Sequence, residues 1–191
     1  KKRGLDLLQL LPIGDTGGVK SPYSPISSHA LNPIYLSLAS LPYLDKAPNY
    51  LIKSLQKLKK NNLDKRVDYV KVLEEKEEWL KKYLELFEEK LKNHPEYTLF
   101  CQKEGGWLDD YACFKVLRKK YGPVIKNWPK NLKAISNEEK KSLYSEYKAL
   151  ILKEKLIQYL CFDQMHFVHL FADHHTVFLM GDMPYMLSQD S

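Results

Sequence analysis

Apolar side chains recur at steps of three or four residues between positions 63 and 91, interrupted only at Glu77, against a background of lysine and glutamate. This spacing places them on one face of a long α-helix. The opposite face allows i,i+4 ion pairs, and a His-Pro pair at 94–95 predicts the end of the helix. We interpret it as one arm of a packed helical hairpin, because a free coiled coil would need a longer heptad pattern. The apolar stripe comprises Leu63, Val67, Val70, Leu73, Leu80, Leu84, Phe87 and Leu91.

Two further helices are predicted downstream. Residues 107–120 (WLDDYACFKVLRKK) form the second, and a Gly-Pro pair at 122–123 stops it. The third runs from about 138 to 173, and residues 136–139 (SNEE) before it place a glutamate three positions after a serine. That spacing is typical of a capping box at a helix N-terminus.

Two short apolar segments near the ends of the chain are candidate strands. Residues 5–12 (LDLLQLLP) fit either a buried strand or the remnant of a helix by periodicity. The turn residues that begin at Gly14 favour a strand that leads into a long loop. Residues 176–180 are β-branched and apolar and precede a Gly-Asp turn, so we predict a second buried strand there.

The spacing of these strands predicts the architecture. In a plain (β/α)8 barrel one strand follows another after roughly 30 residues, whereas the two candidates lie about 165 residues apart, which implies a helical insertion in one βα loop. We therefore predict an α/β fold: part of a (β/α)8 TIM barrel with an inserted, mainly helical subdomain. Residues 1–45 would form a barrel strand and active-site loop, 46–150 the inserted helical subdomain, and 151–191 a barrel helix and the next strand with its C-terminal loop.

Composition and charge narrow the possible partners. The chain has 191 residues and a formal net charge of +6, with 44% hydrophobic and 28% charged residues, as in a soluble globular protein. Its lysines interleave with glutamates along predicted helices, which is typical of a solvated helix face. Only Arg3, Arg66 and Arg118 are arginines, whereas proteins that read DNA sequence depend on arginine for base contacts. We therefore expect no nucleic-acid partner.

Cysteine usage and hydropathy indicate a reducing, aqueous compartment. Cys101, Cys113 and Cys161 are odd in number and share no CxxC spacing, so we predict free thiols. The basic start lacks the long apolar run and cleavage site of a signal peptide, and no stretch of about 18 apolar residues could span a membrane. We expect a cytoplasmic protein. Because the chain starts at Lys1 and stops at Ser191 just after a turn, we also expect both ends to be cuts.

A glycine-rich loop follows the first candidate strand. Glycines in residues 14–23 (GDTGGVKSPY) let the backbone approach a ligand and adopt positive φ, but the segment lacks the ending of a phosphate loop. A tight turn is the simpler interpretation. The sharper one uses Tyr23, which could stack on a sugar ring and also hydrogen-bond. Beyond it, residues 33–42 begin with a proline and predict a short helix capped near Asn32.

Polar residues also cluster near the second candidate strand. Asp182 stands where a barrel places functional carboxylates, and Asp190 follows on the same loop. Carboxylates accept strong hydrogen bonds from hydroxyl groups such as those of sugars, although Asp182 could instead cap a turn. A hydrolytic pair is not expected, since barrel enzymes usually draw such carboxylates from different strands. His166 and His169 supply at most two ligands of a zinc site, so we predict partly buried polar residues and no metal.

Four segments of the sequence resemble blocks of one known family. They are similar, in order, to 4-alpha-glucanotransferases of glycoside hydrolase family 77, and residues 66–72 (RVDYVKV) fit the linker before that family's helical subdomain. The resemblance extends over nearly the whole chain. The four segments are residues 7–38 (LLQLLPIGDTGGVKSPYSPISSHALNPIYLSL), 105–122 (GGWLDDYACFKVLRKKYG), 158–165 (QYLCFDQM) and 178–191 (FLMGDMPYMLSQDS).

The resemblance implies a (β/α)8 barrel with a helical insertion. It implies transfer of α-1,4-glucan segments between malto-oligosaccharides and other α-glucans, with retention through a covalent glycosyl-enzyme and without a cofactor. Tyr23, with Ser21 beside it, matches a tyrosine that lines the substrate groove, and Asp182 matches an aspartate that contacts the sugar at the cleavage point. Asp190 is also predicted to bind substrate. The family's nucleophile and acid/base would lie downstream of Ser191, so we predict no catalytic residue here and an inactive isolated chain.

The sequence departs from the family pattern in three places. Gly18-Val19-Lys20 replaces small, aromatic or acidic residues, His29 stands where an aromatic residue is usual, and Tyr185 replaces an aliphatic residue. We expect these changes to alter the shape of the groove and therefore the preferred chain length.

Two other functions stay open at this point. The chain could be a glucan-binding remnant that folds alone and has lost catalysis. In that case Tyr23 and Asp182 would keep their roles in binding glucan. Alternatively, the basic charge and the lysine-faced helix would suit a module that binds nucleic acid or another helix. If the chain is a barrel segment, it would expose strand edges and apolar helix faces, so we predict poor solubility in isolation.

Overall fold

The computed structural model describes residues 4–61, 67–133 and 135–184. Within these ranges the chain is mixed α/β and mostly helical, with six α-helices between two short strands. The strands are β1 (Leu7–Leu10) and β2 (Phe178–Gly181). The helices are α1 (Asn49–Asn61), α2 (Tyr69–Lys92), α3 (Pro95–Glu104), α4 (Leu108–Tyr121), α5 (Asn137–Glu146) and α6 (Lys148–His174).

The two strands form a parallel pair whose register joins residues 7–10 to residues 178–181. The strand interpretation of residues 5–12 is therefore confirmed over its central part. The second strand begins later than predicted, because α6 continues to His174 and Thr176 adopts a positive φ of 55° in the turn that follows.

The prediction that these strands are buried is wrong for this chain. Leu7 is 50% exposed, Leu8 47% and Phe178 68%. Among the described residues the sheet has only two strands, and α6 contacts β2. No further strand within the described residues pairs with the outer edges of β1 and β2, and the apolar side chains of this pair are exposed.

The main core forms where α2 packs against α1, α3 and α6. Leu80, Leu84, Phe87 and Leu91 of the predicted stripe are all buried, so the helical face is confirmed over this half. The other half is not: Val67 and Val70 are 59% and 47% exposed, and Leu63 lies outside the described residues. The helix starts only after Asp68, whose side chain accepts a hydrogen bond from the Lys71 N–H. Val67 therefore precedes the helix, and the first turn extends past the core.

A second core joins α4, α5 and α6. The predicted helix at 107–120 is confirmed as α4, and the Ser136–Glu139 capping box is present. The single helix predicted from 138 to 173 is wrong, because the chain breaks into α5 and α6 at Tyr147, with φ −103° and ψ 17°. No proline or glycine marks this break. Leu143 and Tyr144 pack on the second core from α5, whereas α6 contributes to both cores.

Proline residues start local helices rather than merely ending them. Pro95 occupies the first turn of α3, and the His94 ring accepts a hydrogen bond from the Glu96 N–H; the sequence patterns did not predict this helix. The helix predicted at 33–42 consists of two 3-10 turns, Pro33–Tyr35 and Leu38–Ser40. Its predicted cap is confirmed, since the Asn32 side chain accepts a hydrogen bond from the Ile34 N–H.

The structure confirms the predicted solvated lysine–glutamate face of α2 and the predicted free thiols. Lys82 and Glu78 of α2 form an exposed i,i+4 pair at 2.8 Å, which contributes little to stability in water. All three cysteines are free thiols. Of the helices that the structure describes, none is both long enough and apolar enough to cross a membrane.

Candidate functional site

The ends of β1 and β2 bring together two residues that are far apart in the sequence. Because the strands are parallel, the loop after β1 and the segment after β2 leave the sheet at the same edge. Tyr23 lies on the loop and Asp182 on the segment. The Tyr23 phenol donates a 2.7 Å hydrogen bond to Oδ2 of Asp182. Both side chains are partly exposed, so the contact lies at a surface that a ligand can reach.

Ser21 supports the turn from which Tyr23 projects. Its hydroxyl accepts a 3.3 Å hydrogen bond from the Tyr23 N–H, and the residue is exposed. Serine side chains commonly stabilise turns in this way. The structure therefore places Ser21, Tyr23 and Asp182 at one edge of the sheet, whereas Asp190 lies outside the described residues.

The loop that carries Tyr23 is closed by its own backbone. The Asp15 N–H donates to the Ala30 carbonyl at 2.8 Å, and the Ile26 N–H donates to the Asp15 carbonyl at 2.7 Å. These bonds join the beginning of the loop to its middle and its end. The path of the segment between them, which includes Tyr23, is thereby constrained.

Gly17 shows why the loop needs glycine. Its φ is +60°, and a Cβ at this position would lie 2.9 Å from Nη2 of Arg118 and 3.1 Å from Cγ2 of Ile26. The left-handed backbone disfavours a side chain here even if the flexible end of Arg118 moves away. The predicted positive φ is confirmed at this residue. The group close to it is a side chain of α4, so the predicted approach of the backbone to a ligand stays a prediction.

His29 forms an aromatic contact between the loop and the segment that begins α4. Its ring stacks on Trp107 with the centroids 5.7 Å apart and an interplanar angle of 15°. Trp107 also donates from Nε1 to Glu104 at 2.7 Å. The imidazole thus packs as a flat ring at the position where the family pattern expects an aromatic side chain.

An open groove of about 430 Å³ borders Asp182. Its walls include Phe162, His166 and His169 of α6, together with apolar residues that follow β1. Both histidines are exposed, so the prediction that they are partly buried is wrong. The C-terminal half of α6 extends past the cores that bury its N-terminal half. Within residues 4–61, 67–133 and 135–184, no group of three or more metal-ligating side chains occurs.

The sequence patterns missed one residue of this loop. Asp15 is fully buried and forms an ion pair with Lys115 of α4 at 2.8 Å. A usable signal was present, since Lys115 lies among apolar residues of α4, and a lysine is almost never fully buried without a partner.

The fold is similar to that of part of an amylomaltase. The amylomaltase from Streptococcus agalactiae, solved in complex with acarbose, superposes with a TM-score of 0.78 over 97% of this chain and 37% of its own length. The sequence identity in this comparison is 23%, so it establishes the fold alone.

The sequence comparisons establish the family. The profile of glycoside hydrolase family 77, described as 4-alpha-glucanotransferase, matches residues 1–191, and this chain belongs to that family. The 4-alpha-glucanotransferase of Chlamydia caviae is 39% identical over 200 residues, and that of Chlamydia pneumoniae is 36% identical over 193 residues. In both cases the match takes in 100% of this chain but 36% of the relative. The chain thus spans about a third of the length of these relatives.

Proposed function

We propose that this chain forms the groove-bearing part of an active 4-alpha-glucanotransferase. In this proposal the full-length protein transfers α-1,4-glucan segments between malto-oligosaccharides, with retention through a covalent glycosyl-enzyme. The observation that carries the proposal is the 2.7 Å hydrogen bond between Tyr23 and Asp182, which joins two residues of the family pattern across 159 positions. Membership of the family supports the same reaction.

The two side chains suit the recognition of a sugar. A carboxylate accepts hydrogen bonds from hydroxyl groups, and a bond to a charged acceptor is stronger than a neutral one. The Tyr23 phenol donates to Oδ2 of Asp182, and a carboxylate has a second oxygen that can accept a hydrogen bond from a sugar hydroxyl. The tyrosine ring offers an apolar face to the pyranose while its phenol holds the carboxylate in place. We infer that Ser21 and Asp190 complete the substrate contacts.

The architecture in this proposal is a barrel portion with an inserted helical subdomain. Residues 1–45 supply a barrel strand and the Tyr23 loop, residues 46–150 the insertion, and residues 151–191 the barrel helix and next strand. The parallel pairing of β1 with β2 supports this division, since strands joined by such a long helical segment are expected in a βα unit. The nucleophilic aspartate and the acid/base glutamate come from strands beyond Ser191. The enzyme uses no cofactor and acts in the cytoplasm.

The test is a disproportionation assay on the full-length protein that contains this chain. Maltotriose is supplied as the sole substrate, and the products are separated by chromatography. We expect a ladder of longer and shorter malto-oligosaccharides together with glucose. Tyr23→Phe and Asp182→Asn should each lower kcat/KM roughly tenfold or more, because the first removes the donor of this hydrogen bond and the second removes the charge of its acceptor.

Tyr50→Phe is the matched control for this assay. Tyr50 is 59% exposed on α1, so its phenol should not affect transfer, and kcat/KM should stay within about twofold of the wild type. A wild-type protein that makes no ladder would exclude the proposed reaction. Binding to DNA that falls steeply with salt, without binding to maltoheptaose, would instead support a basic interaction module.

A further inference from the structure

The loop that carries Tyr23 is fastened to α4 through a buried carboxylate. Oδ2 of Asp15 accepts hydrogen bonds from the Tyr111 phenol at 2.5 Å and from the Lys115 ammonium at 2.8 Å, and Oδ1 accepts the Gly17 N–H at 2.9 Å. Asp15 is 0% exposed and Lys115 is 5% exposed. Because Tyr111 and Lys115 are four residues apart, they project from one face of α4.

The protonation states of this cluster keep its bonds in place near neutral pH. Burial alone would raise the pKa of Asp15, but the charge of Lys115 and the hydrogen bonds from three donors outweigh it, so the pKa lies below its ordinary value. Burial and the neighbouring Asp15 carboxylate raise the pKa of Tyr111 well above its ordinary range. Asp15 is therefore the acceptor and Tyr111 the donor.

A second attachment secures the end of the loop. The side-chain amide of Gln158, on α6, accepts from the Leu31 N–H at 2.9 Å and donates to the Leu31 carbonyl at 2.9 Å. The same amide nitrogen lies 3.3 Å from the Tyr111 phenol. Gln158 is 1% exposed. The beginning and the end of the Tyr23 loop are thus joined to one hydrogen-bonded network on two helices.

Stability alone does not account for this network. Removing two charges from water is costly, and apolar residues of similar volume often replace a buried ion pair with no loss of stability. Unlike apolar contacts, the hydrogen bonds of an ion pair are directional, so they fix one orientation of the groups that they join. In this loop the fixed element is the backbone around Asp15 and Gly17, a few residues before Tyr23.

We propose that Asp15, Tyr111 and Lys115 are positioning residues that hold the Tyr23 loop where Tyr23 meets Asp182, and that they thereby set the efficiency of glucan transfer. This inference rests on the proposed function. Neither Tyr23 nor Asp182 belongs to α4. The inference nevertheless gives this helix an effect on kcat/KM for glucan transfer, through the position of the Tyr23 loop.

The experiment is a double-mutant cycle in the full-length protein. Tyr111→Phe removes one hydrogen bond from Asp15 and keeps the ion pair, whereas Asp15→Asn removes the charge. Each is made in the wild type and in the Tyr23→Phe background, and kcat/KM is measured on maltotriose. A displaced loop should lower kcat/KM roughly tenfold in the wild type. In the Tyr23→Phe background the further loss should be below about twofold, because the phenol to be positioned is already absent.

A matched control and a second measurement distinguish a positioning effect from a general effect of substitutions on α4. Asp109→Asn weakens an ion pair between α4 and Lys155 of α6 in which both side chains are partly exposed, and it should leave kcat/KM within about twofold. The affinity of every variant for acarbose is also measured by calorimetry. Binding can then be compared even if the Tyr23→Phe variants turn over too slowly for kcat/KM to be measured. We expect the same coupling to Tyr23 in the affinities.

Two results would overturn the inference. One is a folded Tyr111→Phe variant with wild-type kcat/KM and affinity; the other is an equal loss in both backgrounds, which indicates a merely structural role. Either result leaves the effects of Tyr23→Phe and Asp182→Asn intact and so spares the proposed function. A wild-type protein without transfer activity would count against the function itself.

Discussion

At the scale of single residues, Gly17 occupies a position that needs glycine, whereas Gly106 occupies one that does not. Gly17 has φ +60° and lies against Arg118, whereas a Cβ at Gly106 would meet nothing within 4 Å and its φ is not in the left-handed region. An alanine is therefore strained at Gly17 and tolerated at Gly106. An alanine at each position therefore distinguishes two effects of removing a glycine. One is backbone strain in the folded loop, and the other is the lower conformational freedom of the unfolded chain.

We predict that Gly17→Ala lowers the free energy of unfolding by about 1–2 kcal/mol, the cost of a left-handed residue with a side chain. Gly106→Ala should be neutral or slightly stabilising, since it reduces the freedom of the unfolded chain. Thermal melting of the full-length protein measures both. Equal melting temperatures for the two variants would contradict the strain argument.

Asp15 gives a residue-scale prediction for pH. Its folded pKa lies below the ordinary value of 3.8, so its stabilising contribution is present above that pH and is lost as the pH falls through the lower folded pKa. Asp15→Asn leaves Lys115 buried without its partner, at a cost on the order of 3 kcal/mol. We expect its melting temperature to lie below that of the wild type by a constant amount between pH 7 and pH 5. A difference that already shrinks within this range would point to another titrating group.

Helix α2 shows at the scale of elements how a periodic pattern becomes a packed face. Leu84 is 1% exposed in the main core, whereas Leu86, two positions along the same helix, is 41% exposed. The two leucines have the same helix propensity, so they differ only in packing. Burial in the core, rather than helix formation itself, should therefore decide their contributions.

We predict that Leu84→Ala lowers the free energy of unfolding by about 2–5 kcal/mol, because it removes buried methyl groups and leaves a cavity. Leu86→Ala should cost less than about 1 kcal/mol, as a substitution at a largely exposed position. Comparison of the two melting temperatures measures the difference. Similar losses in the two variants would show that this face of α2 is not the buried one.

An open apolar surface is the main feature at the scale of the whole molecule. Phe167 and Phe171 of α6 are 69% and 59% exposed, and Leu8 and Phe178 of the strands are 47% and 68% exposed. The parallel pair also has edges without a neighbour among the described residues. Surfaces of this kind associate with each other in water.

We predict that the isolated chain of 191 residues self-associates, because each copy offers this surface to the next. Size-exclusion chromatography with light scattering should show species larger than a monomer, and Phe167→Ser combined with Phe171→Ser should reduce them. Leu99→Ser is the control, since Leu99 is 55% exposed on α3, outside this surface. A monodisperse wild-type chain that melts cooperatively would contradict the prediction.

The sequence by itself determined what depends on neighbours along the chain. Helix α4, the capping box before α5 and the buried half of α2 follow from local spacing and from hydrogen bonds within a few residues. Tyr23 and Asp182 stood out because turns and short strands flank them. The exposure of the strands, the start of α3 at Pro95 and the break at Tyr147 did not follow, because packing partners decide each of these and local pattern does not.

Only the tertiary structure decided which distant residues meet. Tyr23 reaches Asp182 because two parallel strands end at one edge, and Asp15 reaches Lys115 because the loop folds onto α4. A sequence pattern can show that a buried lysine needs a partner, but the partner lies 100 positions away. The energy of a charge pair depends on distance and burial in space, and these two quantities are set by the fold and not by the order of residues.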